Sequence, residues 1–260
     1  MKREPKSKAE AEGRNYPIFR LLSLVLASFV LLGCSRGKVE RLEWTVMDTV
    51  AAVQIRGGSA DCDVVEAVRT AFERTNAEFN AFDEQSTIRR SGRCSAFGRP
   101  CWDFAFNLKA QTDGAFDPNW QGRDKLDFGA VAKGFAVDVA AERVMELGSS
   151  ADVLIDLGGN LRAVKGDWQV GIKDGETFLL HEGEACATSA CYYRGDHIKD
   201  ARTGGNVANT VYSVTVIHPS SAMVADGLST VMFILGRVKG EAFLKKHHPE
   251  AKAVWIDAGL

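Results

Sequence analysis

The residues from Asp127 to Asp138, D-F-G-A-V-A-K-G-F-A-V-D, join a carboxylate, a glycine turn and a lysine at the start of an amphipathic helix. Backbone N–H groups and the helix dipole favour negative charge at such a helix start. The spacing therefore predicts a cradle for a phosphorylated ligand, formed by Asp127, Lys133 and the backbone between them. From this segment alone, an ordinary loop-to-helix junction is the alternative interpretation.

The letters D-F-G also occur in protein kinases, where the aspartate holds magnesium. The sequence has no H-R-D catalytic loop, no V-A-I-K strand and no glycine-rich loop. It also lacks the G-x-x-x-x-G-K-[ST] spacing of a Walker loop. Kinases and P-loop nucleotidases are therefore disfavoured.

Asp226 and Thr230 lie four residues apart in V-A-D-G-L-S-T, which puts both on one face of a helix. A carboxylate and a hydroxyl are oxygen ligands that suit a hard cation such as magnesium. An aspartate near a helix start is, by itself, more often a cap or a partner of the helix dipole. The pair therefore needs support from other segments before it indicates a metal site.

The elements that must position these residues mix helices and strands. Hydrophobic periodicity predicts helices over 61–79, 102–111, 131–147 and 223–235, with Gly148 and Gly236 as helix ends. Strands are predicted over 42–56 (broken near Asp48), 153–155, 168–172, 178–180, 212–217 and 253–256. Because the order lacks a regular βαβ alternation, the sequence predicts a single α+β domain.

The first 33 residues have the pattern of a secretory leader. Residues 1–20 carry six basic and three acidic residues, and the apolar run over 21–32 is shorter than the roughly 20 residues that a membrane span needs. The run ends in L-L-G-C, which resembles a bacterial lipoprotein processing site. We therefore expect a signal peptide over 1–33, a lipidated Cys34 and a domain over 34–260. A plain signal anchor with a chance cysteine is the alternative.

Composition limits the remaining classes. Five further cysteines would face an oxidising compartment, and an odd number leaves at least one unpaired within the chain. Cys94 with Cys101, and Cys186 with Cys191, are close enough in sequence to bridge, but the pairing stays open. No C-x-x-C pair supports a zinc site. The net charge of −2 comes without a basic stripe, which argues against nucleic acid as a partner.

Taken in order, several segments resemble the ApbE family, the FAD:protein FMN transferases. The similar segments run from residue 47 to about 236. They are M-D-T at 47–49, F-D-E-Q-S at 82–86, G-A-F-D-P at 114–118, the stretch at 127–138, D-L-G-G-N at 156–160, A-T-S at 187–189, H-I-K-D-A-R-T-G at 197–204 and S-V-T-V-I-H-P at 213–219. The departures from the family pattern are Asp48 for glycine, Phe82 for tyrosine, Ala190 for glycine, Ala201 for proline, and a helical insertion trimmed to residues 119–126.

The resemblance implies an ApbE-like fold and a Mg²⁺-dependent transfer of FMN from FAD to a threonine or serine hydroxyl of a partner protein, with release of AMP. It implies Ala130 (through its carbonyl), Asp226 and Thr230 as metal ligands. Catalytic roles are implied for Asp226 and for His197, the latter as base. From the residues alone, a base role for His197 is reasonable, but a loop histidine that bonds a nearby carbonyl is the favoured interpretation. Contacts to FAD are implied for Met47, Phe82, Ala115, Phe116, Asp117, Asp127 and Lys133.

The same resemblance implies an acceptor flavoprotein subunit of a membrane or periplasmic electron-transfer system as the partner. The expected location is the periplasmic face of the bacterial cell envelope, with a lipid anchor to the membrane. Three other functions stay open. They are a magnesium-dependent FAD pyrophosphatase that gives FMN and AMP, a lipid-anchored flavin-binding protein without turnover, and a structural lipoprotein that keeps only the fold.

Overall fold

A seven-stranded antiparallel sheet frames the protein in the computed structural model, which describes residues 37–57, 61–122, 125–172, 177–190, 198–207 and 211–257. From one edge to the other its strands are β1 (Val39–Val46), β2 (Thr49–Arg56), β3 (Asp152–Leu157), β4 (Asn160–Lys165), β7 (Ala185–Ala190), β10 (Val211–His218) and β11 (Lys252–Asp257). Two small ribbons pair β5 (Trp168–Gly171) with β6 (Thr177–Leu180) and β8 (Lys199–Asp200) with β9 (Gly205–Asn206).

The described residues form five helices. These are α1 (Cys62–Phe79), α2 (Thr87–Ser91), α3 (Arg99–Gln111), α4 (Ala132–Leu147) and α5 (Ala222–His247). The predictions over 61–79 and 131–147 are confirmed to within a residue, because their end signals act as expected. Asp61 accepts the N–H of Asp63 at the start of α1, and Gly148 ends α4 with a φ of 65°.

The prediction that the last helix ends at Gly236 is wrong in part. Gly236 leaves helical geometry, with φ 73° and ψ 169°, but the helix resumes and runs on to His247. The second piece continues because Phe243 and Leu244 still face the core. The glycine therefore produces a kink, not an end.

Two central strands, β4 and β7, were not predicted. Strand β7 reads A-C-A-T-S-A, and five of its six residues are buried, so it lacks the alternation that marks a half-exposed strand. The break that the sequence predicts near Asp48 is confirmed. Met47 and Asp48, with φ values of 52° and 55°, form the two-residue turn between β1 and β2. Aspartate tolerates this left-handed geometry better than most residues, which fits its place where the family has glycine.

The three long helices α1, α4 and α5 cover one face of the sheet. Helix α4 lies between the other two and packs against β3 and β4, whereas α5 packs against β7 and β10. On the opposite face, Trp168 and Leu180 of the β5–β6 ribbon pack on Leu154 and Cys186 of the sheet. The start of α4 and the start of α5 therefore meet over the middle of the sheet, where the site residues lie.

Two further findings concern the membrane and the cysteines. Among the residues that the structure describes, no helix has the length and apolarity needed to cross a membrane. Cys62, Cys94, Cys101 and Cys186 are free thiols, so Cys94 and Cys101 are not bridged. Burial raises the pKa of the Cys101 and Cys186 thiols, which keeps both protonated. Residues 1–36, Cys191 and His197 lie outside the described residues, so the leader, the lipidated Cys34 and the base stay predictions.

Candidate active site

Phe128 anchors the loop that leads into α4. Its ring is fully buried, with its centroid 4.9 Å from that of Phe79 and 5.3 Å from that of Trp102. Beside it, Asp127 accepts the backbone N–H of Gly129 through Oδ1 at 2.8 Å, which closes a tight turn. The aromatic anchor and the turn together fix the direction in which the chain enters the helix.

The side chain of Lys133 extends back to this loop. Its Nζ donates to the carbonyl of Gly129 at 2.7 Å and lies 3.9 Å from Oδ2 of Asp226. The ammonium group therefore stands between the loop before α4 and the first turns of α5. A positive charge in this place favours an anionic ligand at the start of α4.

Asp226 is the buried carboxylate of the site, with 6 % of its surface exposed. Its Oδ2 accepts the backbone N–H of Gly134 at 2.9 Å. Gly134 is in the first turn of α4, where N–H groups have no partner within the helix. Burial raises the pKa of Asp226 to about 6, although Lys133 and the N–H of Gly134 both act to lower it.

Gly134 is required where α4 and α5 approach each other. A Cβ on Gly134 would collide with the backbone carbonyl of Ala222 and would lie 2.7 Å from the Cα of Met223. Because no side chain fits there, the two helix starts come close enough for the bond between Gly134 and Asp226. The glycine of the A-K-G segment thus brings α4 to the carboxylate.

Thr230 lies one turn after Asp226 and belongs to a cluster of hydroxyl groups. Ser189 on β7 has its Oγ 3.2 Å from the Oγ1 of Thr230 and 2.9 Å from the Oγ of Ser229. Ser229 in turn donates to the carbonyl of Asp226 at 2.9 Å. The strand therefore holds the oxygen atoms of α5 in position.

The predicted metal ligands supply only oxygen atoms: the carboxylate of Asp226, the hydroxyl of Thr230 and the carbonyl of Ala130, a half-buried residue three positions before Lys133. The described residues contain no group of three or more His, Cys, Asp or Glu side chains that could hold a metal. A cation here would thus depend on hydroxyl and carbonyl oxygens beside one carboxylate. These donors fit a hard divalent cation such as Mg²⁺, which also keeps waters or phosphate oxygens as ligands.

The segment G-A-F-D-P is buried and contacts a second segment that resembles the ApbE family, the one that contains Ala201. The side chains of Ala115 and Phe116 are 1 % and 5 % exposed. The carbonyl of Ala115 accepts the N–H of Ala201 at 3.1 Å, which joins this segment to the β8–β9 ribbon. Because both side chains are buried, these two residues could contact FAD only through their backbone.

Lys109, Asp117 and Asn119 form a polar corner. Lys109 on α3 lies 2.7 Å from Oδ2 of Asp117, and the N–H of Asn119 donates to Oδ1 at 2.8 Å. Two buried oxygens, Oε1 of Gln111 and Oδ1 of Asn119, have no hydrogen-bond partner among the described residues. Buried acceptors of this kind are normally satisfied, so these two oxygens are available to a donor from water or from a ligand.

Two of the residues predicted to contact flavin are presented on turns. Phe82 is 89 % exposed, on a turn where the Oδ1 of Asn80 accepts the N–H of Phe82 at 2.9 Å. Met47 is at the tip of the β1–β2 hairpin and packs against buried hydrophobic residues of the core. An exposed phenyl ring provides a stacking surface.

The sequence reasoning missed Asp138, which joins α4 to the start of α5. Its carboxylate accepts hydrogen bonds from Ser221, Ala222 and Met223 and pairs with Arg162 at 2.7 Å. One feature of the sequence could have indicated Asp138. It is a lone carboxylate at the end of the run F-A-V-D, inside an otherwise apolar part of α4.

The sequence is similar to known proteins over about half of its length. A sequence model of the ApbE family matches residues 119–255. The FAD:protein FMN transferase of Haemophilus influenzae is 32% identical over 144 residues, which cover 47% of this chain and 41% of that protein. That of Vibrio cholerae is 32% identical over 157 residues, which cover 52% of this chain and 46% of that protein. The matched region thus spans less than half the length of these curated relatives.

The fold is also shared with a solved structure. The flavinyl transferase ApbE of Pseudomonas stutzeri, in its apo form, superposes with a TM-score of 0.72 and 21% sequence identity. The superposition covers 88% of this chain and 95% of that one. It confirms the mixed helix-and-sheet fold that the resemblance implied. Because the family match covers more than half of the residues, the chain belongs to the ApbE family.

Proposed function

We propose that the protein is an FAD:protein FMN transferase. It would transfer FMN from FAD to a threonine or serine hydroxyl of a partner protein and release AMP, with Mg²⁺ as the divalent cation. The observation that carries the proposal is the buried Asp226, held at the start of α4 with Lys133 beside it and Thr230 one turn away. The related proteins of Haemophilus influenzae and Vibrio cholerae are named for this activity.

The oxygen ligands and the positive groups of the site fit the charges that this reaction would involve. Asp226, Thr230 and the Ala130 carbonyl would hold the cation, which would neutralise charge that develops on the pyrophosphate. The ammonium group of Lys133 and the N–H groups at the start of α4 would bind the same phosphates from the other side. Positioning and electrostatics of this kind supply most of the catalysis in phosphoryl transfer.

The proton and bond changes follow from the predicted roles. An imidazole nitrogen of His197 would accept the proton of the acceptor hydroxyl. The oxygen would then form a bond to the phosphorus of the FMN half, and the bond from that phosphorus to the bridging oxygen would break. AMP leaves with the bonding electrons, and FMN remains on the acceptor as a phosphoester.

The rest of the FAD molecule would bind along the corner formed by the trimmed loop. The unpartnered oxygens of Gln111 and Asn119 support a ligand that carries N–H donors, as adenine and the flavin ring both do. Phe82 would stack on a ring system, and Met47 would line the entrance. Asp127 and Asp117 would act through the turns that they stabilise.

The proposal includes a place in the cell. Residues 1–33 would be removed as a lipoprotein signal peptide, and Cys34 would attach the protein to the membrane on the periplasmic face. The acceptor would be a flavoprotein subunit of an electron-transfer system there. Labelled fatty acid should enter the wild type and not Cys34→Ser; equal incorporation would refute the lipid anchor.

The experiment that tests the activity is incubation of the purified protein with FAD, Mg²⁺ and an acceptor protein. The expected result is flavin fluorescence on the acceptor that survives denaturation, with one AMP released per flavin. Asp226→Ala should abolish it with an unchanged circular dichroism spectrum, whereas the exposed Glu142→Gln should not. Free FMN and AMP without a labelled acceptor would instead identify a pyrophosphatase, and binding without AMP would identify a carrier.

A further inference from the structure

Asp138 on α4 is a largely buried carboxylate that binds two other elements. Its Oδ2 accepts a hydrogen bond from the hydroxyl of Ser221 at 2.6 Å and from the N–H of Met223 at 3.0 Å. Its Oδ1 accepts the N–H of Ala222 at 2.8 Å and a guanidinium N–H of Arg162, on β4, at 2.7 Å. Four donors from two other segments, residues 221–223 and strand β4, therefore converge on one carboxylate.

These bonds mirror the bond made by Asp226. Ala222 and Met223 are the first two residues of α5, where backbone N–H groups have no helical partner. Asp226 follows Ala222 by one turn, and it accepts the N–H of Gly134, one turn before Asp138 on α4. Each helix thus supplies a carboxylate that caps the start of the other, and we call this pair of contacts the reciprocal caps.

We propose that Asp138 is a positioning residue for the cation site. It holds the first turn of α5 against α4, and so it sets where Asp226 lies relative to Lys133 and Ala130. This role rests on the proposed function, because it requires a cation at Asp226. Asp138 itself would contact neither the cation nor FAD.

The chemistry of the four partners makes the carboxylate hard to replace. Every partner donates a hydrogen bond, and an ionised carboxylate only accepts. An asparagine would turn an NH₂ group toward donors and would leave the guanidinium of Arg162 without a counter-charge in a buried place. The start of α5 would then shift, and the ligand oxygens would shift with it.

The test compares Asp138→Asn with Glu142→Gln. Glu142 is one turn further along α4 and is exposed, so the control removes the same charge from the same helix. Each protein is titrated with Mn²⁺ well below its unfolding temperature, and free Mn²⁺ is followed by electron paramagnetic resonance. We expect the Kd of Asp138→Asn to rise by about 10–100-fold, as for other groups that orient metal ligands. The Kd of Glu142→Gln should match the wild type.

A merely structural role predicts a different result. In that case Asp138→Asn would unfold at a lower temperature and bind Mn²⁺ as the wild type does, which would overturn the inference. If Asp138→Asn does not fold, Ser221→Ala removes one of the four bonds, and an unchanged Kd in that variant would overturn it as well. A wild-type protein that binds no Mn²⁺ would refute the cation of the proposed function and this role with it.

Discussion

The side-chain oxygens of Ser189 and Thr230 lie 3.2 Å apart, although 41 residues separate them in the chain. Ser189 belongs to a central strand of the sheet, and Thr230 belongs to the helix that carries the buried carboxylate. A hydroxyl that ligates a cation must present a lone pair in one direction, and its rotamer is set by such a contact. Ser189 therefore connects the sheet to the predicted cation ligands.

We expect Ser189→Ala to weaken Mn²⁺ binding by about tenfold, because the hydroxyl of Thr230 would lose the partner that orients it. The neighbouring Thr188 is a matched control, since it lies on the other face of β7 and contacts Thr215 at 2.8 Å instead. Isothermal titration of both variants with Mn²⁺ checks the prediction. Equal losses in Ser189→Ala and Thr188→Ala would mean that the strand acts only through general stability.

The raised pKa of Asp226 predicts how stability of the cation-free protein depends on pH. In the unfolded chain this carboxylate has its usual low pKa, whereas burial in the fold raises its pKa to about 6. The folded state thus holds a proton that the unfolded state has lost, so this group makes stability fall as pH rises from about 4 to 6. Asp226→Asn removes the buried charge and should unfold at a higher temperature than the wild type at pH 7.5.

The gain should be on the order of 1 kcal/mol, or about 2–4 °C for a domain of this size. It should disappear near pH 4, where the wild-type carboxylate is protonated as well. Thermal melts in chelator at the two pH values provide the measurement. A variant that is less stable than the wild type at both would show that the contacts of the carboxylate with Lys133 and the N–H of Gly134 outweigh the cost of its burial.

His218, at the end of β10, predicts a loss of stability in acid. Burial lowers its pKa, although Glu250 nearby and Asp138 act to raise it; His248 adds to the lowering. Its Nδ1 accepts the N–H groups of Ser220 and Ser221 at 3.2 and 3.0 Å, which requires a neutral ring. Unfolding frees the ring to take up a proton below its usual pKa of about 6.5, so stability falls as pH decreases through that value.

His218→Asn should keep one acceptor for the same N–H groups and remove the titration. We expect the melting temperature of this variant to vary less than that of the wild type between pH 7 and pH 5. His181→Asn supplies a comparison variant, because it replaces an exposed histidine whose Nδ1 lies 3.4 Å from Oδ2 of Asp167. If both variants follow the wild type, the acid sensitivity has another source.

His197→Ala separates binding from transfer. Loss of a general base typically costs about 10²–10⁴-fold in rate, so flavin transfer should fall by at least about a hundredfold. The affinity for FAD should stay within about tenfold, or about 1.4 kcal/mol, since it depends on the phosphate cradle and on ring stacking. Single-turnover transfer is measured beside an FAD titration. Comparable losses in both would make His197 a ligand contact and would move the search for a base to Asp200.

The helices that carry the site could be predicted from sequence, because their signals are local. The apolar periodicity of residues 131–147 and the glycine after it predict α4, and the spacing of Asp226 and Thr230 predicts their shared face on α5. The catalytic and binding roles of these residues stay predictions. What could not be predicted is how distant segments meet. No local pattern shows that Gly134 donates to Asp226, or that Asp138 caps α5.

Strand β7 could not be predicted from the sequence for a different reason. Its small residues are buried on both faces, so neither periodicity nor β-branched side chains mark it. Its position beside β10 is nevertheless what brings Ser189 to α5. The part of the site that depends on this strand could therefore be predicted only from the similarity of the segment A-T-S at 187–189 to the family.

The contact between Gly134 and Asp226 spans 92 residues, which has a consequence for how the protein is made. A growing chain that has passed α4 already contains the stretch from Asp127 to Asp138, but the carboxylate of Asp226 has not yet been synthesised. A truncated product that ends before Ala222 would keep the stretch and lack the site. The contact between Gly134 and Asp226 can therefore form only once nearly all of the chain has been translated, so shorter products would lack the proposed site.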